Sequence, residues 1–208
     1  MRIEHLAGSP DRAGRYLLRF DDGSTMRLYR QSVEDFGLYA GKEMTQMDVE
    51  SLRHAAGQMS AKMRAVRIVS ASSVSKRDLE QRLIQKGEDP AQAKEAVKWM
   101  SDLELVDDRK TAEQIVSSCI RKGYGLTRAK QALYEKRIPK EFWEEALTDY
   151  PDQSEKIMEF LQSRLSSDSN QKEIKRAIDA LLRRGHSYSR IRRALDKLSL
   201  DAEVFPEE

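Results

Sequence analysis

The rhythm of apolar positions changes once along this chain, and the change divides it. Over residues 1–30 the segments MRIEHL, RYLLRF and STMRLY are short, rich in aliphatic and aromatic residues, and partly alternating. That is the period of a half-buried strand. Asp22-Gly23 between the last two signals a tight hairpin, because glycine accepts positive φ. Gly8-Ser9-Pro10-Asp11 breaks the chain before Tyr16. Three small antiparallel strands are predicted, too few to be stable alone and expected to pack on the first long helix. Beyond them the spacing becomes three to four. A short helix is predicted from Gln31 to Tyr39 and a long one from Thr45 to Ser70. Ser75 with Asp78 resembles a capping box for a helix running to Lys86. Asp89-Pro90 reads as an N-cap followed by proline at the first helical position, opening a helix that ends near Leu103. Asp108 to Lys122 places Ala112, Ile115, Val116, Cys119 and Ile120 on one face. Gly123-Tyr-Gly125 ends it. A helix from Thr127 to Arg137 follows, and Pro139 opens another that carries Phe142, Trp143, Ala146 and Leu147.

These helices repeat. At a shift of 50 residues Val66 falls on Val116, Leu83 on Leu133, Ala96 on Ala146 and Val97 on Leu147. In a third copy Ile157, Phe160, Leu161 and Leu165 lie 45 residues after Ala112, Ile115, Val116 and Ile120. Past the loop Ser166–Asn170 the shift is 48, which aligns Ala177, Leu181, Ala194 and Leu195. Asn170 with Glu173 supplies a further capping signal. The predicted fold is mainly α: three tandem three-helix repeats in an elongated curved array, behind a small antiparallel three-strand region. The boundaries are a β-rich region over 1–44 and repeats over 45–106, 107–150 and 151–208. Stacked units of this kind bury one face each and lean on their neighbours. Their chemistry is expected on a long face and not in a pocket.

Composition changes this picture only locally. The net charge is +2, which names no partner. The signs nevertheless segregate: residues 121–140 hold seven basic side chains and one acidic, and residues 183–197 hold six and one. Such runs suit phosphates or acidic protein surfaces, although many solvated helix faces look the same. Tyr124, Tyr134 and Tyr188 are interleaved with them, and packing of the rings near helix ends is the favoured role. Trp99, Phe142, Trp143 and Phe160 stand at core spacing.

Catalytic constellations do not assemble. His5, His54 and His186 are far apart and lack ligand spacing, so no metal site is expected. The single cysteine, Cys119, lies on an apolar face and reads as a buried structural thiol. Asp107-Asp108 reads as a helix start, and Asp21-Asp22-Gly23 as a turn. No phosphate loop or nucleophile–base pair is recognisable, which argues against an enzyme. No cofactor is expected. One cysteine excludes an intramolecular disulfide, no apolar run is long enough to span a bilayer, and no signal core opens the chain. A cytoplasmic, monomeric protein without a membrane partner is expected.

Several motifs occur in a suggestive order. Ser75-Lys-Arg-Asp78-Leu79 is followed by Leu83 and Lys86-Gly87. Leu103-Glu-Leu-Val-Asp107-Asp108 leads to Ala112. Lys122-Gly123-Tyr-Gly125 precedes Arg128 and Leu133-Tyr-Glu-Lys136-Arg-Ile138. In order and spacing they resemble the RecX family of regulators of the RecA recombinase, best over 75–147, less over 152–195, and little over 1–60. Three features depart from the family: Glu88 stands where an aromatic is usual, Glu104-Leu105-Val106 replaces Gly-Tyr-Ile, and the residues before Ser75 lack the family's arginine. The resemblance implies a non-enzymatic helical-repeat protein that binds the groove of the RecA–DNA filament. It would modulate, most simply inhibit, ATP hydrolysis and strand exchange in recombination and repair, with single- or double-stranded DNA as a further partner. The face assigned to this contact comprises Lys86, Arg121, Lys122, Arg128, Lys130, Lys136, Arg137, Lys140, Arg183, Arg184, Arg190, Arg192 and Arg193. Arg128, Lys136, Arg190 and Arg193 lead it, because each flanks the apolar stripe of its helix. A recombinase-independent DNA-binding protein using the same face is the alternative, and a scaffold for another protein a third.

Overall fold

A computed structural model describes residues 1–8, 14–166 and 168–200. The break expected at Ser9-Pro10-Asp11 and the end of the third repeat, 201–208, lie outside these. The chain divides into two compact units, Met1–Val106 and Asp107–Glu208.

The first unit opens with strands β1 (Ile3–Gly8), β2 (Arg15–Phe20) and β3 (Thr25–Tyr29) in an antiparallel sheet of order β1-β2-β3. Alternation sorts its faces. Ile3, Leu18, Phe20 and Leu28 are fully buried, whereas Leu17, between partly buried Tyr16 and buried Leu18, is 42% exposed. The predicted hairpin is present: Gly23 has φ +81°, and the Ser24 N–H donates to Asp22 Oδ1 at 2.8 Å. The helix predicted over 31–39 is shorter, Arg30–Asp35 (α1), and Gly37 then takes a φ of +52°.

Helix α2 (Gln46–Ala71) has 26 residues and so spans about 39 Å. Thr45 and Asp48 form a reciprocal capping box at its start. Its length lets it serve two cores. Val49, Leu52 and Ala56 close the sheet's cluster, with Leu38 and Met44, so the strands pack on this helix as their pattern predicts. Ala61 and Ala65 belong to the first helical triplet, completed by α3 (Lys76–Gln85) and α4 (Pro90–Asp102). Ser75 accepts from the Asp78 N–H, and Asp89 from those of Ala91 and Gln92, so both predicted caps are formed.

The second unit holds two triplets with separate cores. The first is α5 (Asp108–Arg121), α6 (Leu126–Glu135) and a short third arm, a 3₁₀ turn over Lys140–Phe142 leading into α7 (Trp143–Leu147). Ala112, Val116, Leu133 and Ile138 are its buried residues. Phe142 and Trp143, expected in the core, are only partly buried against it, because the broken third arm shields less than a full helix would. The second triplet is α8 (Ser154–Gln162), α9 (Gln171–Arg183) and α10 (Tyr188–Lys197), around Ile157, Leu161, Leu181 and Ile191. Asn170 and Glu173 form the predicted capping box.

The equivalent α3, α6 and α9 ends share a left-handed residue: Gly87 (φ +88°), Arg137 (φ +55°) and Gly185 (φ +83°). The middle repeat thus holds a non-glycine residue in a conformation that costs an ordinary side chain about 1–2 kcal/mol.

Glu88, the departure in the first triplet, has a physical account. Its side chain is 6% exposed and lies 2.6 Å from Arg64 Nε of α2. Ser60 Oγ donates to the same carboxylate at 3.0 Å, and Arg64 Nη1 donates to Lys86 O at the end of α3 at 2.9 Å. An ion pair holds the corner where an aromatic would otherwise fill space. Glu88→Ala is expected to destabilise the first unit by about 1–2 kcal/mol, since Arg64, about a third exposed and partly screened by water, loses its carboxylate. Glu88→Leu combined with Arg64→Leu should restore most of that loss in urea denaturation.

Candidate interaction surface in the second unit

The surface is built around the place where α5 and α9 end. Gly123 reverses the chain after α5 with φ +64°, and Gly185 after α9 with φ +83°. The two turns then meet through backbone. The Gly125 N–H donates to Arg184 O at 2.8 Å. A Cβ on Gly125 would lie 2.0 Å from Gly185 O, and one on Gly185 would lie 2.3 Å from Arg128 N. No side chain fits at either position without moving backbone. Periodicity marks these glycines only as helix stops, so their contact across two repeats is not readable from spacing.

Two rings, one buried and one partly buried, hydrogen-bond the turn after α5. His186, 5% exposed, places Nε2 3.0 Å from Gly123 O. With the ring neutral, Nε2–H donates and Nδ1 stays a buried acceptor without a hydrogen bond. Burial lowers the His186 pKa, the bond to Gly123 O opposes this, and the charges of Arg184 and Arg190 add to the lowering. Tyr150 donates its hydroxyl to Tyr124 O at 2.6 Å, and burial pushes its pKa up to about 12. His186, which lacks any ligand spacing in the sequence, is therefore a structural pin.

At this junction Arg128 of one basic run and Arg184 of the other come together through their backbone. Of the thirteen residues assigned to the face, Lys86 belongs to the first unit and the rest to the second. Arg121, Lys122, Lys130, Lys140, Arg183, Arg190, Arg192 and Arg193 are exposed; Arg128, Lys136, Arg137 and Arg184 are partly buried. Several are engaged within the protein. Arg128 pairs with Glu135 at 3.0 Å, which raises its pKa and lowers that of Glu135, the side-chain hydrogen bond being the main cause in each. Arg190 lies 3.3 Å from Asp152. The Arg184 guanidinium sits 4.6 Å from the centre of the Phe160 ring, with Arg164 also stacked on that ring at 4.7 Å. Arg128 and Arg190, two of the four leading residues, are thus not simply solvated charges.

The aromatic residues divide. Tyr124 and Phe160 are packed, but Tyr134 is 68% and Tyr188 52% exposed, contrary to the packed role expected for the tyrosines. The other candidates follow their structural readings. Cys119 is buried, and burial raises its pKa, partly offset by Arg128 and Lys122. Asp107 accepts from the Arg109 and Lys110 N–H groups at 2.9 and 3.2 Å. Among the described residues no three His, Cys, Asp or Glu side chains cluster as a metal site needs, and no helix is long and apolar enough to cross a membrane.

Comparison with known proteins points one way. Residues 107–147 match the family model described as RecX, second three-helix domain. The regulatory protein RecX of Clostridioides difficile (strain 630) is 23% identical over 203 residues, covering 95% of this chain and 94% of the relative. That of Vibrio parahaemolyticus serotype O3:K6 is 26% identical over 145 residues, covering 66% and 90%. Among solved structures, the crystal structure of a regulatory protein RecX superposes with a TM-score of 0.62 at 20% identity, covering 94% of this chain and 98% of that one. RecX from Lactobacillus salivarius gives 0.58 at 26%, covering 70% and 98%. Family model, curated relatives and solved structures agree, which bears out the resemblance read from the sequence.

Two outcomes test the junction. Gly125→Ala should destabilise the second unit by about 1–3 kcal/mol, the usual cost of forcing atoms into a packed site, read as a lower midpoint of chemical denaturation. His186 has a depressed folded-state pKa. The folded state therefore binds fewer protons than the unfolded chain, and stability falls as pH drops below the ordinary value of 6.5. His186→Gln keeps a donor for Gly123 O and should flatten that fall between pH 7 and about 5.5.

Proposed function

We infer that this chain works as a RecX-family regulatory protein that binds the RecA–DNA filament through the basic surface of its second unit. It damps ATP hydrolysis and strand exchange without catalysing a reaction itself. The observation that carries this reading is the glycine junction, which sets cations from two repeats around one backbone contact. Exposed Lys122, Arg183 and Arg193 offer charge along that surface, suited to carboxylates of a protein filament or to phosphates. Arginine adds a two-pronged donor geometry that lysine lacks.

A second reading, direct DNA binding, draws on the exposure of Tyr134 and Tyr188 in the basic runs, since exposed aromatic side chains can take stacked bases. The two readings separate on salt and on the recombinase. Added to a matched recombinase on single-stranded DNA, the protein should inhibit ATPase. The double charge reversal Lys122→Glu with Arg193→Glu should raise the half-inhibitory concentration by about tenfold or more, equivalent to about 1.4 kcal/mol of binding, with helix content unchanged. Absence of inhibition by the wild-type chain would overturn the first reading. Salt-sensitive binding to bare DNA, with no effect on the recombinase, would install the second.

A further inference from the structure

One feature of the second unit is not explained by the basic surface. The start of α6, the 3₁₀ turn and α7 enclose an open cleft of about 670 Å³, within the size range of sites that take a ligand or an anchoring side chain. Its apolar walls are Leu126, Trp143 and Leu147. Leu126 stands at the first position of α6, off the buried stripe, and is 39% exposed. The Trp143 Nε1–H donates to Ile138 O at 3.0 Å. This holds the indole in place, satisfies its one polar atom, and leaves the ring only partly covered. A pinned, partly open tryptophan beside exposed leucine is the composition of an interface anchor site, and it is costly to leave to water.

The charges at the rim select the occupant. Lys130 on α6 and Lys140 on the 3₁₀ turn both line the cleft and are exposed, and neither is ion-paired among the described residues. Glu144 is the one acidic group in the lining. We propose that this cleft docks a short acidic peptide segment of a partner protein, with an apolar side chain seated between Leu126, Trp143 and Leu147 and flanking carboxylates held by Lys130 and Lys140. Nucleic acid fits less well. The walls are mainly aliphatic and the tryptophan is tied down along one edge, which suits a seated apolar side chain better than a stacked base. The inference does not depend on the partner being a recombinase, because a peptide of defined chemistry tests it.

Trp143 supplies the readout. The chain has two tryptophans, so Trp99→Phe leaves Trp143 as the only one. The probe is a short blocked peptide of alternating aspartate and leucine. Two control peptides carry serine for every leucine or asparagine for every aspartate, and a thymidine oligonucleotide is the nucleic-acid arm. The aspartate–leucine peptide should shift Trp143 emission saturably, weaken with salt, and bind at least about tenfold tighter than either control peptide. Lys130→Glu with Lys140→Glu should abolish the shift, and Leu126→Ser should weaken it, both with an unchanged unfolding midpoint. No saturable shift, an equal shift from the serine peptide, or a stronger one from the oligonucleotide would each overturn the proposal. Loss of recombinase inhibition alone would not bear on it.

Discussion

The approach of Gly125 to Gly185 constrains the second unit more than any other contact. Two helix C-terminal turns touch through backbone, with a hydrogen bond from the Gly125 N–H to Arg184 O and no room for a Cβ on either glycine. Helix C-termini expose carbonyls at the negative end of the dipole. Two of them placed together would normally leave acceptors short of donors. Here His186 serves Gly123 O and Tyr150 serves Tyr124 O, while basic residues follow both helices and oppose the partial negative charge. The same positive residues that make the surface a plausible binder therefore also help its two helix ends coexist.

This double use explains why charge alone overstates the surface. Arg128 spends its guanidinium on Glu135, Arg190 lies against Asp152, and Arg184 stacks on Phe160. The two exposed ion pairs contribute little to stability, in the range of about 0–1 kcal/mol, so a partner can displace them at small cost. They set the side chains' directions without making them unavailable. Lys122 and Arg183, adjacent in sequence to the two turns, and Arg193 on α10 remain exposed.

Much of the fold was legible because its signals are local. Capping residues Thr45, Ser75, Asp89, Asp107 and Asn170 all accept backbone hydrogen bonds where helices begin, and the apolar stripes of α5 and α9 are buried as their spacing requires. The misses are contacts between distant residues. Trp143 carries core spacing, but a 3₁₀ turn ahead of α7 leaves it at the edge of a cleft. Gly125, Gly185 and His186 gave no sign of meeting, because close backbone approach has no period. Glu88 looked like a lapse in a motif until Arg64, on a different helix, supplied its partner. Tyr134 and Tyr188 resemble packed tyrosines in sequence, and only the tertiary structure shows them largely exposed.

The central claim is that the junction makes one binding surface out of two repeats. The most direct measurement is the affinity of the Gly185→Ala variant for recombinase-coated single-stranded DNA, taken where circular dichroism shows full helix content. The account predicts that affinity falls by about tenfold or more, because the repeats fold but no longer hold their cations in register. An affinity equal to that of the unaltered chain would contradict it.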